Sequence, residues 1–265
     1  MKVVICGLAS NCAKPMLNGL KTLLACFQKE EVLGVHIVES DSVDNTPLYL
    51  EALAHDNNVF SFESLGSLKQ KIPNRIERIR HCRQQYVDWI RRNTADLNPD
   101  AVVVVDFDLQ FATLSREKLD TLLLPIKSKK LGGVFPNTAG PYYDLYALRC
   151  SGWVMSDVWR DVEKFCLFME RQECLDAFIY SKQLELKGRG YLQVESAFGG
   201  LGVYSPEIFT HCDYGSTPLI TCEHVEFHQL IASELKVNLA IAIDANLVVP
   251  PAEHIRPQNW EKACH

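Results

Sequence analysis

The stretch at residues 101–108, AVVVVDFD, constrains the fold more than any other: five small or β-branched apolar residues lead straight into two carboxylates one residue apart. A run that is apolar at every position suits a strand covered on both faces, the central strand of a parallel sheet. Asp106 and Asp108 then stand at its carboxyl end, where open α/β sheets bind their ligands. Neighbouring carboxylates there are costly unless a cation answers them. A divalent metal is the simplest such cation, and hard oxygen ligands suit Mg2+ or Mn2+. The plain alternative is a strand end capped by turn-forming aspartates.

The first half keeps one rhythm. Apolar runs at 3–8, 32–39 and 59–62 alternate with helical periods at 15–27, 47–54 and 74–92. This predicts an α/β fold whose mixed, mainly parallel central sheet carries helices on both faces. Beyond residue 110 the pattern changes to short β-like pieces at 132–135, 143–148 and 202–204, a helical stretch at 158–174 and a last apolar strand at 239–249. They read as an extension of the same sheet, so 1–265 is expected to be a single domain. Pro250, Pro251 and Pro257 exclude regular helix and predict a C-terminal arm over 250–265.

With 47% apolar residues in 265, the chain can bury a sizeable core. Its 27 Lys and Arg against 33 Asp and Glu give a net charge of −6 without a basic stripe. That argues against nucleic acid as principal partner but leaves room for a small anionic ligand. No apolar run reaches the roughly 18–20 residues that span a bilayer, and residues 1–10 lack the pattern of a signal peptide; a cytoplasmic protein is expected. Ten cysteines without a CxxC pair read as reduced thiols, not as disulfides or a zinc site.

Two further features point to the same sheet edge. Glu39, Asp41 and Asp44 gather after the second strand, where they can accept hydrogen bonds from a base or ribose, while Thr46 and Pro47 read as a helix start. In the helix at 74–92, Ile76, Ile79, Tyr86, Val87 and Ile90 form the buried stripe, and Arg83 falls inside it. A buried guanidinium requires anions, here the strand-end carboxylates or a phosphate held beside them. Arg75, in the first turn, can face the same crevice; Arg78, Arg80 and Arg91 read as a solvated face.

In this order, the strand–helix alternation, the DNT turn at 44–46, the Arg-bearing helix and the hhhhDxD strand resemble the nucleotide-sugar-binding half of GT-A glycosyltransferases. The segments YYDLYALR (142–149), ESAFGGLGVY (195–204) and CEHVEFH (222–228) resemble the acceptor half of a branch related to fungal capsule mannosyltransferases and to viral and bacterial sugar transferases. The resemblance spans about residues 3–251. It implies metal-dependent transfer of a sugar from a UDP- or GDP-sugar to a glycan or other hydroxyl acceptor, with 1–110 binding the donor and 111–249 the acceptor. Cys6, Gly7, Leu8 and Ala9, with Glu39 and Asp41, would bound the nucleoside pocket. Arg83, Asp106, Phe107 and Asp108 would hold the diphosphate, with Asp106, Asp108 and His254 as metal ligands for Mn2+ or Mg2+.

An inverting transfer also requires a carboxylate to deprotonate the acceptor hydroxyl. Glu223 is the first choice, with Asp144 and Glu195 behind it. His224 and His228 are spaced for one helix face, but without a third ligand they read as packing. Gly199, Gly200 and Gly202 fit a close backbone approach to a sugar or a β-bulge. Tyr142, Tyr143 and Trp153 fit stacking on acceptor rings or the core. Two rivals remain. A haloacid-dehalogenase-like phosphatase uses a strand-end DxD, but near its chain start and followed by Thr or Val, where Gln110 stands here. A non-catalytic carbohydrate-binding relative would have no need of the carboxylates.

Overall fold

A strand buried on both faces must lie in the middle of the molecule, and the computed structural model, which describes residues 1–215 and 221–256, places 101–106 there. The elements run β1 (Val3–Ala9), α1 (Ala13–Leu24), β2 (Val32–Glu39), α2 (Thr46–Asp56), β3 (Phe60–Ser64), α3 (Arg75–Leu97), β4 (Ala101–Asp106), α4 (Arg116–Lys127) and β5 (Gly133–Thr138). They continue with α5 (Val158–Phe165), α6 (Arg171–Phe178), β6 (Tyr191–Val194), β7 (Leu201–Tyr204), α7 (Pro206–His211), α8 (Glu223–Leu235) and β8 (Leu239–Val248). All eight strands form one sheet in the order β3-β2-β1-β4-β7-β5-β8-β6. The first four pair in parallel, β7 lies antiparallel between β4 and β5, and β5 and β8 are again parallel. The mixed α/β class read from the sequence is the one found.

Side chains alternate across this sheet into two cores, as the period of a strand requires. Val102 and Val104 of β4 face a core shared with Tyr86, Val87 and Ile90 of α3 and Phe227 and Ile231 of α8. Val103 and Val105 face the other, with Met16, Leu20 and Leu23 of α1 and Leu119, Leu122 and Leu123 of α4. Fully buried strands of this kind hold their shape by burial on both sides, at roughly 25 cal/mol per Å² of apolar area. Gly7 makes the β1–β4 contact possible: a Cβ there would collide with the Val105 carbonyl oxygen and the Phe107 ring.

Caps set the helix ends near the site. Asn74 accepts hydrogen bonds from the Ile76 and Glu77 amides to start α3, and Asn98, at φ 46°, ends it in the left-handed region. Helix α2 begins one residue earlier than the Thr46–Pro47 reading: Asn45 is the N-cap, and the Thr46 hydroxyl instead accepts from the Cys12 amide. Asp44 accepts from the Ala13 and Thr46 amides, tying the α1 and α2 starts together.

Two sequence expectations change. Residues 143–148 form no strand; apart from a bridge between Arg149 and Ser196, this stretch is a loop carrying its side chains to the sheet edge. The helical stretch at 158–174 divides into α5 and α6, because the Glu170 capping box starts a new helix. Helix α4 and strand β6 had no expectation at all; α4 keeps its helix despite Pro125, which sits in the last turn. Of the expected arm, residues 250–256 are described: a short turn at Ala252–His254, then Ile255, buried at 2% exposure, with Gln183 donating to the His254 carbonyl. Pro257 and the rest of the arm lie outside the described residues.

Candidate functional site

The carboxyl ends of β1, β2 and β4 open into two connected clefts. The first, about 290 Å³, runs from Leu8 and Ala9 past Ser40 and Asp41 to Arg75, Arg78, Arg83, Asp106 and Asp108. The second, about 600 Å³, shares Arg75, Arg83, Asp106 and Asp108 and continues past Tyr143, Asp144 and Gly200 to Glu223, His224 and the 249–254 segment. This is where an open α/β sheet places a ligand, at the point where strand order reverses beside β1 and β4.

Arg83 is the floor of both clefts. Its Nη1 and Nη2 donate to Asp106 Oδ1 and Oδ2 at 3.0 and 2.9 Å, and its Nε donates to Glu223 Oε1 at 2.9 Å. The guanidinium also lies 4.8 Å over the Phe198 ring. Burial opposes its charge, but Asp106 and Glu223 outweigh it and hold the pKa well above the ordinary arginine value. The anion that the sequence demanded for Arg83 is therefore this carboxylate pair, which takes three of the five guanidinium N–H donors.

Asp106 changes role with it. Expected as a metal ligand, it accepts from Arg83 with both oxygens and still lines both clefts, with its side chain 28% exposed. Asp108 is different: its side chain bonds to no other described residue and lines both clefts. Crowding in the cleft raises its pKa, and Asp106 beside it adds to the rise. Asp144 is half-buried on the acceptor side, where its Oδ2 accepts from the Gly199 amide at 2.8 Å and its Oδ1 from the Ala147 amide at 3.3 Å. Burial raises its pKa too, against those two amides. Gly199 and Gly200, at φ 67° and 84°, make the turn that presents this amide; the Gly200 carbonyl accepts from the Asp106 amide.

Several expected site residues are elsewhere. Cys6 is fully buried in the core, Gly7 serves strand packing, and Phe107 is 2% exposed in the second core; of the first loop, Leu8 and Ala9 reach the cleft. Glu39 is 1% exposed and accepts from the Ser42 amide and the Ser64 hydroxyl, so it shapes the loop below the cleft and does not line it. Asp41 does line it, at φ 60°, with its carboxylate accepting from the Lys69 amide and paired with Arg78. Glu195 is exposed and lines neither cleft, which removes it as a base candidate. Tyr142 and Trp153 pack on each other in the core, 5.6 Å apart, whereas Tyr143 reaches the cleft and stacks on His254 at 6.0 Å.

His224 and His228 pack among aromatic rings. His228 meets the Ser196 hydroxyl and the Tyr204 hydroxyl, and burial pushes its pKa down to about 3. His224 stacks on Phe198 at 3.9 Å, and burial keeps it neutral as well. Sequence reasoning missed Tyr146 and Glu253 as cleft residues, because a loop and an arm carry no periodicity to mark their facing side. It saw Arg75 without fixing its role. Arg75 lines both clefts, has no hydrogen-bond or salt-bridge partner among the described residues, and acts electrostatically on Asp108.

The fit to a divalent metal is that of a half-built site. Among the described residues no three His, Cys, Asp or Glu gather as a metal cluster. Asp108 nevertheless offers an uncommitted oxygen ligand beside a second carboxylate, and His254 lines the same cleft. Mg2+-type sites commonly take one or two carboxylates and draw the remaining ligands from water and substrate phosphates.

No family model matches this sequence, and no curated protein matches it. Solved structures do resemble it. S. aureus TarS 1–349 in complex with UDP-GlcNAc aligns with 99% of this chain and 64% of that one, at 14% identity and a TM-score of 0.54. The mannosyltransferase PcManGT from Pyrobaculum calidifontis, in complex with GDP-Man and Mn2+, aligns with 99% of this chain and 60% of that one, at 14% identity and a TM-score of 0.51. This chain thus spans less than two thirds of the length of either. Among the described residues no helix is long and apolar enough to cross a membrane. With strand order, cleft position and these likenesses together, the chain has the GT-A glycosyltransferase fold.

Proposed function

We propose that this chain is a metal-dependent glycosyltransferase that moves a sugar from a UDP- or GDP-sugar to a hydroxyl of a glycan or similar acceptor. The observation that carries the reading is the seam between the two clefts, where an unpaired cation, Arg75, faces an uncommitted carboxylate, Asp108. A nucleoside diphosphate and a divalent metal complement that pair of charges. TarS with UDP-GlcNAc and PcManGT with GDP-Man and Mn2+ share the fold and support this ligand class.

In this reading Leu8, Ala9 and Asp41 bound the nucleoside, Arg75 meets the diphosphate, and Asp108 with His254 holds the metal. A divalent metal held there would supply Lewis-acid stabilisation to a departing diphosphate. Arg83 is a strut: it fixes the Asp106 carboxylate and Glu223 across the cleft floor. For an inverting transfer the proton acceptor is Asp144, not Glu223, which the sequence put first. Glu223 Oε1 is already committed to Arg83, whereas Asp144 faces the acceptor cleft without a cation on it and with a raised pKa. The phosphatase alternative loses support, since it requires Asp106 as a free nucleophile.

The test is a thermal-shift screen of UDP- and GDP-sugars with and without Mn2+, because a ligand that binds only the folded state stabilises it by mass action. A true donor raises Tm, and Asp108→Ala abolishes the part of that rise that depends on metal. If no nucleotide-sugar shifts Tm, the reading fails; an unchanged metal dependence in Asp108→Ala removes the metal assignment alone. Asp144→Asn is expected to cut turnover by about 10² to 10⁴, the usual share of general-base catalysis, with donor affinity intact. Near-normal turnover in that variant returns the base role to Glu223.

A further inference from the structure

A third cleft, about 320 Å³, opens off the second between the 143–146 loop, the start of α5, the end of α6 and the 253–254 turn. It shares Tyr143, Asp144 and Tyr146 with the second cleft, so the two are continuous. Its far wall is new: Trp159 in the first turn of α5 and Tyr180 just after α6.

The polar tips of these rings differ from those of Tyr86, Tyr204 and Tyr214 in the core. In the core, Tyr86 and Tyr214 bond each other through their hydroxyls at 2.9 Å, and Tyr204 bonds His228 at 3.0 Å. The Tyr146 and Tyr180 hydroxyls and Trp159 Nε1 have no hydrogen-bond partner among the described residues. Trp159 is 38% exposed, so part of its ring is open to a ligand in this cleft. On the side shared with the second cleft, Asp144 and Glu253 add acceptor oxygens and Arg75 a donor.

Flat ring faces beside open donors and carboxylate acceptors match one ligand chemistry. A pyranose has C–H faces that lie on aromatic rings, and around its edge hydroxyls that both donate and accept. A lipid tail would leave the two carboxylates desolvated and unpaired. The volume, at the low end of the roughly 300–1,000 Å³ of small-ligand sites, takes one ring. Resting on the glycosyltransferase reading, we propose that this cleft binds the second sugar of the acceptor, so that the enzyme recognises an oligosaccharide of at least two units, with Trp159 and Tyr180 reading the ring next to the reacting one.

The test is direct binding of sugars to the whole chain, by saturation-transfer NMR and calorimetry, with no donor present. The probes are glucose, mannose and galactose against glucose, mannose and galactose disaccharides. At least one disaccharide is expected to bind about five- to tenfold more tightly than its monosaccharide, the value of one well-packed aromatic contact. Trp159→Ala removes that advantage while the monosaccharide affinity and the Tm rise with donor stay unchanged. Tyr180→Phe, which deletes only the hydroxyl and leaves the packing, reduces it in part. Equal affinity for one and two rings, no sugar binding at all, or an advantage that survives Trp159→Ala overturns the proposal. Because the readout needs no donor, a chain that binds UDP- or GDP-sugars but shows no disaccharide preference loses this inference and keeps its proposed function; the reverse result does the opposite.

Discussion

Arg83 and Arg116 pair with carboxylates in the same way in two very different places, Arg116 adding a bond to the Cys26 carbonyl. Each guanidinium holds one carboxylate with both terminal nitrogens and a second with Nε: Asp106 and Glu223 for Arg83, Glu31 and Asp120 for Arg116. The Arg83 side chain is 3% exposed, that of Arg116 39%. Around Arg116 water can replace any lost partner, so the cluster only tethers α4 to the segment before β2. Around Arg83 and Glu223, at 3% and 5% exposure, it cannot, and there the charges must stay together, although Asp106, 28% exposed, keeps contact with the cleft. Equal geometry therefore gives unequal dependence, and the buried copy is the one at the cleft floor.

The sharpest way to break this comparison is to remove each arginine. Arg83→Leu is expected to cost about 3–5 kcal/mol, the penalty for stranding buried carboxylates, measured by chemical denaturation. Adding Asp106→Asn and Glu223→Gln to that variant should restore much of the loss. Arg116→Leu should cost about 1 kcal/mol or less, as for other exposed pairs. Equal losses would mean that burial does not set the difference.

A second, smaller effect separates the clusters by pH. The Arg116 guanidinium holds the Glu31 carboxyl down at about 2 from an ordinary 4.5. A depressed folded-state pKa contributes stability above the unfolded value and loses it as pH falls toward the folded one. Glu31→Gln should therefore cost about 1 kcal/mol at neutral pH, discounted for the exposure of its partner, and the gap should close between pH 4.5 and 2. A gap independent of pH would show that packing, not charge, holds this corner.

The smallest effect has the opposite sign. Asp144 has no arginine, and burial raises its pKa. A raised carboxyl pKa means that the folded state binds the proton more tightly, so its contribution to stability falls as pH rises from the ordinary aspartate range near ~3.9. Asp144→Asn should gain on the parent chain as pH increases through that window, though an amide nitrogen facing the Ala147 or Gly199 N–H offsets part of the gain. If the parent gains instead, the cleft does not desolvate this carboxylate. Such a carboxylate, costly at rest, is the kind found where proton transfer is done.

Much of this was legible along the chain. The apolar run at 101–105 and the stripe of α3 follow from periods of one and 3.6 residues, which any local window reveals. The need of Arg83 for an anion was equally local, since it needs only the stripe and the charge. Glu39 and Cys6 misled because a strand end shows which residues are near an edge without showing which way each carboxylate or thiol turns. Asp144 and Glu195 looked alike in sequence; one is held by a glycine amide inside the cleft and the other is exposed to water.

What the sequence by itself determined is the sheet, its two apolar faces and a strand end that collects negative charge. What only the tertiary structure decided is which anions answer which cation. Glu223 reaches Arg83 across 140 residues, and it does so because β7 docks antiparallel on β4 and places α8 over the same face as α3. Periodicity is a property of neighbours in the chain; pairing of charges depends on distances that exist only after the sheet has closed, and that is also what leaves Arg75 and Asp108 without partners at the seam between the clefts.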